Sequence, residues 1–106
     1  MMYQQLSDYL KILADPSRLE ILDLLSCDEL CACDLLAHFH FSQPTLSHHM
    51  KVLARYQLVQ SRKNGTKTMY RLNKERLEEI TSQLSSIGAA TSPCVCDQLE
   101  KGTCET

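Results

Sequence analysis

No run of eighteen apolar residues occurs in the 106-residue chain, so a membrane span is not expected. The first residues, MMYQQLSDYLKIL, lack a basic segment followed by an apolar one. A secretory leader is therefore not expected, and the cytoplasm is the expected compartment. No phosphate-binding glycine loop, no C-x-x-C redox spacing and no paired catalytic carboxylates are found, and these absences argue against an enzyme. Internal repeats are absent as well. Most informative is a local absence: from Ser42 to Leu72 there is no acidic residue.

That same stretch holds Lys51, Arg55, Arg62, Lys63, Lys67 and Arg71, although the whole chain carries a formal charge of −2. A basic segment inside an acidic protein is the electrostatic footprint of a polyanion-binding surface. Six cysteines could suggest a disulfide framework, but they cluster as Cys27, Cys31, Cys33 and Cys94, Cys96, Cys104. With no export signal, such close pairs point to metal binding or redox chemistry rather than to structural bridges.

Periodicity orders the chain. Leu6, Leu10 and Leu13 place a helix over residues 4–14. Asp15-Pro16 then supplies a cap and a first-turn proline for a second helix, apolar at Leu19, Ile21, Leu22, Leu24 and Leu25. A third helix is expected from about Cys31 to Phe39, with Leu35, Leu36 and Phe39 facing the core. A fourth starts after Ser42 and runs to about Tyr56. Leu58–Arg62 and Lys67–Leu72 read as strands joined through Asn64-Gly65, a strong hairpin signal. Leu77, Ile80, Leu84 and Ile87 mark a last helix from about Lys74, ended by Gly88. Residues 89–106 are expected to be a mobile cysteine-containing tail beyond the 1–88 domain.

The order α-α-α-α-β-β-α predicts a mainly α (α+β) winged helix-turn-helix, whose second motif helix enters the major groove while the hairpin rides on the backbone. On the fourth helix, Leu46, Met50 and Leu53 are spaced to pack inward. Thr45, Ser47, His48 and Lys51 are left mainly outward, while Gln43, Thr45, Ser47, His48 and His49 offer short donors and acceptors at the start of this helix. Gln can read adenine bidentately, and Thr and Ser can bond bases or phosphates. Arg62, Lys63 and Lys67 surround the hairpin tip, where phosphate contacts position a protein without reading sequence. Operator double-stranded DNA is the expected partner.

LKILADPSRLEIL (10–22), ELCACDLL (29–36), FSQPTLSHHMKVL (41–53) and LVQSRKNGTKTMYRL (58–72) together resemble the ArsR/SmtB family of metal-sensing repressors, over about residues 4–88. The resemblance implies a homodimer through the first and last helices, in keeping with their apolar stripes. It also implies that the repressor needs no cofactor to bind DNA and is released by a thiophilic inducer. Soft thiolates at Cys31 and Cys33 suit As(III), Sb(III), Cd(II), Pb(II) or Hg(II) better than hard ions, and the resemblance implies As(III) or Sb(III). As(III) prefers three sulfurs, and the third position of the relatives' C-x-C-x-x-C motif is Leu36 here. Cys27 is the nearest local substitute, with Cys94, Cys96 or Cys104 as alternatives. The interfacial zinc site of some relatives is not expected, since residues 74–88 contain no histidine.

Within one regular helix, Cys31 and Cys33 would point about 200° apart. Ligation would then have to unwind or shift the first turn of the third helix, tilting Gln43–Lys51 out of register with the groove. Rival readings keep the fold and change the signal to Cd, Pb, Hg or thiol oxidation. A thiol metallochaperone is the reading from outside this class.

Overall fold

The computed structural model describes residues 2–89, so the expected tail and its three cysteines lie outside the described residues. Eight elements follow in order: α1 (Tyr3–Leu13), α2 (Pro16–Leu25), β1 (Leu30–Cys31), α3 (Ala32–His38), α4 (Gln43–Arg55), β2 (Val59–Asn64), β3 (Lys67–Leu72) and α5 (Lys74–Gly88). The Asp15 side chain caps α2, its Oδ1 accepting from the backbone N–H groups of Ser17 and Arg18 at 2.9 and 3.1 Å. Ser42 caps α4 through the Thr45 N–H, and Asn73 caps α5 through the Arg76 N–H. Each cap satisfies donors that the first helical turn leaves without a partner.

The core is assembled from one side of every helix. Leu6, Ile21, Leu22, Leu25, Leu35, Leu46, Met50, Leu53, Leu58, Val59 and Ile80 are buried together. Leu36 and Phe39 are partly buried and pack against this cluster, so Leu36 serves the core. Gly65 takes φ 65° at the β2–β3 turn, a conformation that glycine reaches without steric cost. Gln57 adopts φ 60° just beyond α4, where its carbonyl accepts from Asn73 Nδ2 at 2.8 Å. The helix end is thereby tied to the start of α5.

Two expectations are corrected here. The wing is a three-stranded antiparallel sheet in the order β1-β3-β2, not a two-stranded hairpin, because Leu30–Cys31 pairs with the outer edge of β3. In addition, α3 begins at Ala32, one residue later than expected. Cys31 precedes it in extended conformation, φ −85° and ψ 163°. The two cysteines therefore straddle a strand-to-helix junction, and the 200° separation of a regular helix does not apply.

Candidate thiol and nucleic-acid site

At that junction the structure bonds Cys31 to Cys33, with their Cα atoms 5.3 Å apart. Cys31 is buried and Cys33 exposed, so one sulfur belongs to the fold and the other meets solvent. Cys31 also caps α3. Its Sγ accepts from the Asp34 N–H at 3.3 Å, while its own N–H donates to Asp34 Oδ2 at 3.0 Å. This reciprocal pair is a capping box built on sulfur, and it fixes where the Cys31 side chain lies. Among the described residues, ligand atoms of Cys31, Cys33 and Asp34 all fall within 4.8 Å of one another. Two soft sulfurs on one side of the backbone form a chelating pair in the reduced chain, so the donor set suits a thiophilic ion.

Cys27 is exposed and is not brought into this group. It lines a separate open groove with Asp28, Glu29, Gln60, Arg71 and Lys74. Glu29, two residues before Cys31, reaches the wing instead. Its Oε2 accepts from Arg62 Nε at 3.0 Å and its Oε1 from Arg62 Nη2 at 2.5 Å. The Arg62 hydrogen bond holds the Glu29 carboxyl below the usual carboxylate range. Arg62, expected to face phosphate, is thus paired within the chain.

The remaining residues expected to meet DNA lie outward. Gln43, Thr45, His48, Lys51, Lys63 and Lys67 are exposed and Ser47 is half-buried. Lys63 Nζ donates to Thr68 Oγ1 at 2.9 Å, which keeps that ammonium beside the hairpin. Thr45 Oγ1 lies 2.9 Å from Ser42 Oγ, at the start of the helix. Tyr70 is half-buried against the core, and burial raises its phenol above the ordinary value.

His49, one of the polar groups at the start of this helix, turns inward. Its Nδ1 accepts from Arg18 Nε at 3.3 Å, and Arg18 Nη1 donates to the Ile12 carbonyl at 3.1 Å. The recognition helix is thereby anchored to α2 and to the end of α1. The signal was available: Leu46, His49, Met50 and Leu53 occupy positions i, i+3, i+4 and i+7 of one face.

Burial lowers the His49 pKa, and the Arg18 and His48 charges add to this while Asp15 opposes it. Accepting a proton at Nδ1 would also remove the acceptor that Arg18 uses. Because the folded pKa lies below the unfolded one, this contribution to stability is complete above about pH 6.5. It is lost as pH falls below that value. Urea unfolding at pH 7.5 and 5.5 should show a smaller acid loss in His49→Asn, which keeps an acceptor but cannot titrate. Equal losses in the two proteins would refute this role.

Residues 15–61 match the family model described as "Bacterial regulatory protein, arsR family". The chain is 60% identical over 104 residues to the arsenical resistance operon repressor of Staphylococcus xylosus, covering 98% of this chain and 100% of that protein. Among solved structures it resembles an ArsR-like transcriptional regulator from Rhodococcus sp. RHA1, with a TM-score of 0.72 at 29% identity over 81% of each chain. It also resembles the homodimeric winged helix-turn-helix DNA-binding domain Mb0332 from Mycobacterium bovis, described as a possible ArsR-family transcriptional regulator. There the TM-score is 0.65 at 26% identity, covering 84% of this chain and 82% of that one.

Proposed function

This chain belongs to the arsR family of bacterial regulatory proteins and is a transcriptional repressor rather than an enzyme, and from that premise we propose how it senses its signal. Two protomers hold operator DNA with α4 and the wing, without a cofactor, and leave it when Cys31 and Cys33 bind As(III) or Sb(III). The observation that carries this reading is the double role of Cys31, at once a thiol of the C-x-C pair and the N-cap of the first helix of the DNA-binding motif. Drawing the Cys31 sulfur toward a ligand shifts the atom that accepts from the Asp34 N–H, so the start of α3 responds without being unwound.

Several features support the wider assembly. Met2, Tyr3, Leu84 and Ile87 on α1, its cap and α5 are 43–76% exposed in the single chain, an apolar surface that a second copy would cover. The homodimeric relative points the same way. Among the described residues no helix is long and apolar enough to cross a membrane, and the cytoplasm is the proposed compartment. Cys27 is the proposed third sulfur, reaching the pair by movement of Asp28-Glu29-Leu30, with Cys94, Cys96 and Cys104 as the alternative source.

The decisive measurement is titration of As(III) into reduced protein bound to labelled operator, where release at stoichiometric As(III) is expected. An intact complex that Cd(II) alone dissociates would replace the proposed inducer. The Cys31–Cys33 disulfide favours one second reading, in which an oxidant withdraws two electrons and two protons from the dithiol and the operator is released by a change other than loss of the α3 cap, which the disulfide form retains. Dissociation by peroxide but not by As(III) would put that reading first.

A further inference from the structure

β1 belongs to the wing as much as to the thiol site. Cys31 faces Met69 across β1 and β3, and Met69 faces Arg62 across β3 and β2. One row of the sheet therefore runs Cys31, Met69, Arg62, and residues in a row project from the same side. Glu29, just before β1, closes this row into a circuit through its two hydrogen bonds to Arg62. Glu29 also lies in the short segment between Cys27 and Cys31.

We propose that Glu29 is the positioning residue that links the thiol site to the wing, holding the Arg62 guanidinium in place for operator phosphate until ligation moves β1. This inference rests on the functional reading above and assigns it a route. With Cys31 joined to Cys33 and no ion bound, both carboxylate oxygens fix Arg62 in one arrangement over the hairpin, so the long side chain is ordered before it meets DNA. One nitrogen, Nη1, takes no part in the fork with Glu29 and can still turn to a phosphate. When Cys31 is drawn to its ligand, and Cys27 toward it, the chain between them carries Glu29 away from Arg62. The wing then loses its fixed cation while the cap of α3 shifts. An exposed ion pair contributes little to stability by itself. What it supplies here is an interaction that differs between two states, the requirement for coupling two sites.

The test uses full-length reduced protein as wild type, Glu29→Gln, Arg62→Lys and the double variant. Operator affinity is measured with and without saturating As(III), and As(III) affinity is measured separately by competition with a small dithiol. The ratio of the two operator affinities cancels any change caused by the altered basal charge. Glu29→Gln should bind As(III) within about twofold of wild type, yet show a release ratio smaller by at least about fivefold. Arg62→Lys, which keeps the cation but not the fork, should behave alike, and the double variant should be no worse than either single one. A wild-type release ratio in Glu29→Gln, or additive losses in the double variant, would overturn this proposal alone. Failure of As(III) to release wild type would overturn the functional reading and this proposal with it.

Discussion

Replacing Cys31 or Cys33 with serine is expected to abolish operator release at As(III) concentrations that empty the wild-type complex, with DNA binding within about twofold of normal. A chelate owes its strength to donors that are already held together. Removing one donor turns a joint capture into a single contact, at a cost on the order of 10²–10⁴ in affinity. Serine is well suited to isolate this effect. At position 31 it is a favoured N-cap residue, so its hydroxyl can still accept from the Asp34 N–H and α3 is kept. At position 33 the side chain is exposed, so the change opens no cavity in the core. Loss of response in either variant therefore reports ligation rather than unfolding. Fluorescence anisotropy of labelled operator under an As(III) titration reads the result. Wild-type release in Cys31→Ser or Cys33→Ser would sink the proposed site. In Cys27→Ser the midpoint should move to higher As(III) by less than in either of these, because the two-sulfur pair remains.

The helices and the hairpin were legible because each repeats a physical pattern several times. Asp15-Pro16, the leucine spacing of α1 and the Asn64-Gly65 turn all state local rules that the packed chain obeys. What escaped was decided by partners distant in sequence. Leu30–Cys31 is too short to display a strand period, and it is extended because β3 offers it an open edge. That pairing moves Cys31 out of the helix and brings the sulfurs together, which the spacing alone argued against. The Glu29–Arg62 fork joins residues 33 apart, and neither position carries a local signal of it. His49 is a different kind of miss. Its place on the inward face was written in the spacing, but it was expected only as a polar group that could meet DNA. The partner that makes its burial tolerable, Arg18, lies 31 residues away.

The wing offers the other large effect, and it differs in kind from that of the thiols. Lys63→Ala with Lys67→Ala should weaken operator binding by at least about 10²-fold near 0.1 M salt and flatten its salt dependence. Each ammonium that neutralises a phosphate releases condensed counterions, so log affinity falls against log salt with a slope of about −0.9 per contact. Two lysines in each of two protomers make four contacts in the proposed dimer, so the slope should become shallower by roughly 3 to 4. Both side chains are exposed on the hairpin and contribute nothing to the buried cluster, so thermal unfolding should be almost unchanged. The loss should also be about equal for operator and for unrelated duplex, since phosphate carries no sequence. Gln43→Ala on α4 supplies the opposite signature. It should reduce preference for operator over unrelated duplex by about 1–3 kcal/mol per half-site and leave the salt slope nearly as it was. If the lysine variant kept its slope, or lost affinity for the operator alone, the hairpin would be reading bases or standing clear of the DNA. The division of labour between wing and recognition helix would then be wrong.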